Sequence, residues 1–326
     1  MHPALSVIFF TSLSGAGYGL FAWLGILLAT GRLQPAQSTS LLIVALLLGM
    51  LLTTIGLLCS LGHLGKPQRA WRAFSQWRTS WLSREGVLAV LVFVPAIGLL
   101  AWLAATHGQS DGGSGPHAPT PIANVVLGFS LSLLALLTVA CTAMIYASLT
   151  PIPAWRHRLV LPGYLGFSML TGGWLWLALS RLFASNATQV SPTSTLVLLA
   201  SLALLMGVLK LRYWHDIDRT PLPATRGAAV GLPGRDASVF ERPHTESNYL
   251  TREMAFVVAR THARRLRLLS LLLIVLVPLG CMTIVLSIPT MAAAGAVLAT
   301  ITTLAGVFLE RWLFFAQAKH MVTLYY

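Results

Sequence analysis

An imidazole and a carboxylate stand at matched ends of two apolar stretches in this sequence. One stretch closes on Ser60-Leu-Gly-His-Leu-Gly-Lys-Pro67, and the next opens on Ser83-Arg-Glu-Gly86. If each stretch is a helix crossing a bilayer, His63 and Glu85 lie at the same depth on neighbouring helices. Helix axes pack about 8–10 Å apart, so both side chains can reach one small molecule between them. The connecting run KPQRAWRAFSQWRTSWLSR contributes Lys66, Arg69, Trp71, Trp77 and Trp81. Quinone chemistry suits such a set: the head group takes two electrons and two protons, so its site needs a donor to a carbonyl and a proton route. Histidine titrates near neutrality, and a carboxylate at the water boundary can relay protons. The candidate quinone site is therefore His63, Lys66, Arg69, Trp77, Trp81, Ser83 and Glu85, with His63 and Glu85 handling the protons. Plainer roles stay open for the same residues. His63 could end its helix, and Ser83 could cap the next one with Glu85 favoured by the helix dipole. The tryptophans could form an ordinary interface belt.

The elements that would position these residues follow from composition. Of 326 residues, 56% are hydrophobic and only 10% charged, and the mean hydropathy is +0.75. A soluble domain carries roughly 25% charged residues, so the solvent for this chain must be lipid. A hydrocarbon core of about 30 Å needs roughly 20 helical residues. The apolar runs predict an all-α bundle of eight transmembrane helices in a single membrane domain, at roughly 5–29, 40–61, 86–105, 122–148, 160–181, 193–211, 267–287 and 290–310. The last two share one run without Asp, Glu, Lys or Arg, and Ser287-Ile288-Pro289 supplies the break between them.

This count sorts the charges. All Lys and Arg residues but Arg32 and Arg181 fall on one face, in the 2–3 and 4–5 connections, the 6–7 segment from Lys210 to Arg267 with its 212–266 arm, and the C-terminal tail. By the positive-inside rule that face is cytoplasmic, as are both termini. The formal charge of +13 thus points to a membrane surface and a protein partner, not to nucleic acid. In the arm, Arg260, Arg264, Arg265 and Arg267 form a basic cluster that either docks a soluble partner or touches anionic lipid. Cys59, Cys141 and Cys281 lie far apart in apolar stretches, so neither an iron–sulfur cluster nor a structural zinc is expected. Apart from His63, the histidines lie in loops, tails or at span edges, an arrangement that argues against a haem held between helices.

Four stretches resemble the membrane-anchor family of the dimethyl sulfoxide reductase type. They are HPALSVIFFTSLSGAGYGLF at the start, GHLGKPQRAWRAF with SWLSREG, CTAMIYASLTPIPAW with GYLGFSMLTGG, and ERPHTESNYLTREMAFVVARTHARRLR. The first and last are most similar to the branch that accompanies quinone-linked cytoplasmic sulfite dehydrogenases, although Tyr18 stands where that branch leads one to expect glutamine. The resemblance implies a bacterial inner-membrane subunit without haem or metal. It would hold a four-cluster iron–sulfur subunit and a molybdopterin subunit on the membrane and exchange electrons with ubiquinone or menaquinone. The family's quinone-site histidine falls on His63 and its acidic partner on Glu85. The basic face carries this apparatus, which suits a sulfite:quinone oxidoreductase. Alternatives are an S- or N-oxide reductase anchor oxidising menaquinol, a purely structural anchor, or a secondary transporter. Against the last, no carboxylate is expected mid-span, because Glu85 and Glu310 both read as span-end residues.

Overall fold

The computed structural model describes residues 4–33, 39–62, 64–106, 121–183, 192–241 and 262–324. His63 and Arg260 lie outside the described residues, as does most of the basic stretch read from residue 248. Among the described residues every regular element is helical. The main helices are α1 (Leu5–Ala29), α2 (Thr39–Leu61), α3 (Trp81–Leu91), α4 (Phe93–Thr106), α5 (Pro121–Ala147), α6 (Val160–Leu182) and α7 (Pro192–Arg219). A single turn, α8 (Arg226–Ala229), precedes α9 (Ala263–Leu271), α10 (Val277–Ser287) and α11 (Ala292–Ala316).

Two expected spans are each built from paired helices, and proline explains both. Pro95 cannot donate to the carbonyl four residues back, Leu91, where α3 stops; α4 resumes after Val92. Pro278 likewise cannot donate to Ile274, and the chain takes one π turn over Leu272–Leu276 before it. Among the described residues, seven helical units are long and apolar enough to cross a membrane: α1, α2, α3–α4, α5, α7, α9–α10 and α11. The eighth expected span, α6, has the length but is richer in Gly, Ser, Thr and Trp. Like α1, it is largely enclosed. Residues 16–25 of α1 and 170–179 of α6 are each buried without a break, so both helices meet protein over these stretches.

The α1–α6 contact depends on missing side chains. A Cβ on Gly19 would lie 1.8 Å from the Ser168 carbonyl oxygen, and one on Gly172 would lie 2.1 Å from the Gly19 carbonyl carbon. The backbones therefore touch, the small-residue packing on which membrane helices rely. Polar side chains clasp this seam and the one between α1 and α5. Ser168 Oγ donates to the Gly15 carbonyl at 2.6 Å, Trp23 Nε1 to that of Met169 at 2.8 Å, and Ser132 Oγ to that of Ala22 at 2.8 Å. Each such bond between membrane helices averages about 0.6 kcal/mol.

Side-chain contacts also show which ends meet. Glu85 near the start of α3 touches Thr142 near the end of α5, Lys210 late in α7 touches Glu310 late in α11, and Arg311 covers Tyr164 early in α6. Arg267 early in α9 reaches Asp218 at the end of α7. These contacts form one polar end, the end that holds the basic connections.

Candidate functional site

The helix bearing Glu85 starts earlier than expected. Ser80 takes the N-cap position with no side-chain bond, and Trp81, Ser83 and Glu85 all lie inside α3. Ser83 therefore is not the cap. Arg84 holds this first turn against the connection before it: its guanidinium stacks 4.3 Å over Trp81 and donates to the carbonyls of Trp77 and Arg78 at 3.0 and 2.6 Å. Trp81 and Glu85, four residues apart, share one helix face.

Glu85 is only 4% exposed, which corrects the expectation of a carboxylate at the water boundary. Its carboxylate accepts a hydrogen bond from Thr142 Oγ1 on α5. The helix starts one turn sooner, and the close α3–α5 packing then carries the side chain inward. Ser83 is buried as well. Lys66, Arg69 and Trp77 are exposed on the connection, where Pro67–Phe74 winds into a 3₁₀ helix. The structure brings Trp81, Ser83 and Glu85 into the first turn of α3 and leaves Lys66, Arg69 and Trp77 outside the bundle. The residue before His63 is placed: a Cβ on Gly62 would lie 3.5 Å from Ser6 Cβ, so this end of α2 leans on the start of α1.

Beyond Thr142 lies a small cavity with room for the centre of roughly one water, about 10 Å³. Ser12, Ser14, Tyr18, Thr142, Tyr164, Ser168 and Arg311 line it. The hydroxyls of Ser12 and Tyr18 are buried and have no hydrogen-bond partner among the described residues. The small-residue stretch 14–19 of α1 supplies Ser14, Gly15 and Tyr18 to one wall.

On the far wall stands a charge cluster that the sequence reading does not anticipate. Lys210 Nζ lies 2.6 Å from Glu310 Oε1, and Arg311 Nε lies 3.2 Å from Glu310 Oε2. All three side chains are buried, Glu310 at 1% exposure. The expectation of Glu310 at a span end is corrected accordingly, because α11 runs on to Ala316. Lys210 lies 4.0 Å over the Tyr213 ring and Arg311 3.7 Å over that of Tyr164. A sequence signal existed: Tyr213 and Trp214 follow Lys210 at three and four residues, an aromatic face turned toward a cation.

At the polar end's surface, His157 Nε2 lies 3.3 Å from Asp216 Oδ2. Burial lowers the pKa of His157, and the Asp216 carboxylate pulls it back up. Of the basic arm, Arg264 and Arg265 are exposed. Arg267 is engaged within the chain, with Asp218 Oδ1 at 2.9 Å and Gln317 Oε1 at 2.9 Å. A cleft of about 500 Å³ opens beside them, lined by His157, Asp218, Arg264, Arg267 and Lys319 among others.

Residues 1–317 match the sequence model of a family described as DMSO reductase anchor subunit (DmsC). The chain is also 34% identical, over 333 aligned residues, to a subunit of the sulfite dehydrogenase of Allochromatium vinosum; the match covers 100% of this chain and 99% of that relative. Matched over nearly its whole length, and built from apolar helices long enough to span a bilayer, the chain belongs to the DMSO reductase anchor subunit family of membrane proteins.

Proposed function

We propose that this chain is the membrane subunit of a sulfite:quinone oxidoreductase. It spans the bacterial inner membrane eight times, with α6 as the eighth crossing and both termini in the cytoplasm. There it anchors an iron–sulfur subunit and a molybdopterin subunit and conducts their electrons to a quinone. The relative's name supports the substrate, the family supports the architecture, and the segregated Lys and Arg support the orientation. The observation that carries the quinone assignment is Glu85, a buried carboxylate at the polar end of a span, held by a neighbouring hydroxyl. An ionisable group inside a membrane bundle is expensive and marks function by default.

The residues present fit a quinone head group. Trp81 offers an aromatic wall on the same helix face as Glu85. His63, two residues past the end of α2 in the sequence, would donate to a carbonyl, and Ser83, Lys66, Arg69 and Trp77 would border the entrance. A bound quinone supplies a two-electron, two-proton acceptor. The protein's part is to orient the head group, to exclude water through the packed start of α3, and to hold a proton on the Glu85 carboxyl. Thr142 fixes which way that carboxyl points. The family's description as an anchor of DMSO reductase favours one other reading, in which the same site oxidises quinol and electrons leave toward the partner subunits.

Kinetics on the intact membrane complex tests the site. His63→Ala removes a donor worth about 1.5–3 kcal/mol if charge-assisted, so sulfite-driven quinone reduction should fall roughly tenfold to more than a hundredfold. Sulfite oxidation with an artificial acceptor should persist. Glu85→Gln keeps the shape and removes the ionisable proton, so turnover should slow more than quinone KM rises. Wild-type quinone kinetics in both variants would place the quinone elsewhere.

A further inference from the structure

Burial of Glu85 separates it from water, so a proton reaching it must travel through protein. We propose that the cavity between Thr142 and Arg311 holds water and joins Glu85 to the Lys210–Glu310–Arg311 cluster, forming an internal proton path that opens at the polar end beside His157 and Asp216. This rests on the reading of Glu85 as the carboxylate at a quinone.

Side chains in contact line the route from the surface to Glu85, and water in the two cavities would carry the proton where no hydrogen bond joins them. Asp216 meets His157 at 3.3 Å, and the His157 ring packs edge-on against Tyr213 with centroids 5.4 Å apart. Tyr213 lies under Lys210, Lys210 joins Glu310, and Glu310 joins Arg311. A second small cavity, again with room for the centre of roughly one water, lies between Lys210, Tyr213, Glu310 and Arg311. Tyr164, Phe167 and Arg311 line both cavities. The first cavity then reaches Thr142, whose hydroxyl is bonded to Glu85.

Two observations point to water in the first cavity. The buried hydroxyls of Ser12 and Tyr18 face it without a partner among the described residues, and buried polar groups so placed are normally met by an ordered water. Arg311, also in its wall, supplies further donors. The cluster makes sense beside such a path. Two buried cations and one anion leave a net positive charge that no packing argument favours, since apolar residues of the same volume would cost less. Facing a water-filled gap, Lys210 and Glu310 can pass a proton between them and out to the Asp216 surface. For each proton that Glu85 gives to a bound acceptor, one enters from bulk water at His157 and Asp216. The path creates or consumes no charge of its own.

The test uses the intact complex and three shape-keeping variants, Tyr18→Phe, Thr142→Val and Lys210→Met. Each should slow quinone reduction roughly tenfold or more, within the range general acid–base groups supply. Quinone KM should stay within about twofold, and the solvent deuterium isotope effect should grow. Thr142→Ser, which keeps the hydroxyl, should restore the rate. Artificial-acceptor activity in washed membranes reports assembly, and if Lys210→Met does not assemble, the Tyr18 and Thr142 variants decide alone. If Glu85→Gln slows turnover while these variants run at the wild-type rate and isotope effect, the path is overturned and the quinone reading stands. If Glu85→Gln is itself silent, the quinone reading fails and the path fails with it.

Discussion

Glu310 is the one anion between two buried cations, and that asymmetry decides what a substitution does. Lys210→Met leaves the Glu310–Arg311 pair, with the local charge reduced to zero. Glu310→Gln leaves Lys210 and Arg311 facing each other without a counter-charge. Breaking a buried pair from that side typically costs about 3–5 kcal/mol, so Glu310→Gln should sharply lower the melting temperature of the detergent-solubilised protein, whereas Lys210→Met should lower it little. Equal effects would mean that the cluster is hydrated enough to screen its charges. His157 allows a pH argument at the same scale. Its pKa in the folded protein is lowered by burial, so the unfolded chain takes up the proton more readily. The stability His157 contributes is therefore present above its unfolded pKa of about 6.5 and is lost as pH falls through its lower folded value. Melting temperature should decline on acidification, and His157→Gln should flatten that decline.

At the scale of elements, α1 and α6 approach so closely that glycine becomes a packing requirement. A methyl group at Gly172 meets the backbone of Gly19 and Leu20, which cannot rotate aside as a side chain would. Overpacking of this kind costs typically 1–3 kcal/mol, so Gly172→Ala should yield less folded protein. Gly98→Ala, in an exposed position of α4 with nothing within 4 Å, should be neutral or gain up to about 1 kcal/mol in helix propensity. The helices themselves are legible from apolar runs: α1 spans Leu5–Ala29 as expected, and α2, α5 and α6 differ from expectation by a residue or so at an end. What hides from the sequence is how far helices continue past polar residues. Apolar runs end at charges, so the first turn of α3 with Glu85, the last turns of α7 beyond Lys210, and those of α11 beyond Glu310 all read as water-facing. Burial of those charges is set by partners on other helices, such as Thr142 for Glu85, and no spacing within one helix encodes it. The candidate site is legible as residue types. Its depth is not.

For the whole molecule, the lopsided distribution of Lys and Arg is an orientation statement. A reporter active only in the cytoplasm should be on when fused after Tyr326 and off when inserted near Gly113; the opposite pattern would turn the protein over and remove the case for cytoplasmic partners. The same face offers Arg264 and Arg265, exposed beside the 500 Å³ cleft. Reversing both to Glu should release the soluble subunits from membranes with their artificial-acceptor activity intact. Retention at physiological salt, where exposed charge contacts are screened beyond about 8 Å, would reduce the arm to a lipid contact.

The enclosure of α6 bears on how the protein is made. A translocation channel yields a segment to lipid according to its apolarity, and α6, with its glycines, hydroxyls and tryptophans, gains less from lipid than its neighbours do. It needs a protein surface already waiting, and chain order provides one, because α1 and α5 emerge from the ribosome first. Damage to the glycine face of α1 would then be felt during synthesis, when α6 has nowhere to lodge. Cells carrying such a lesion would hold fewer finished copies, each turning over at the normal rate.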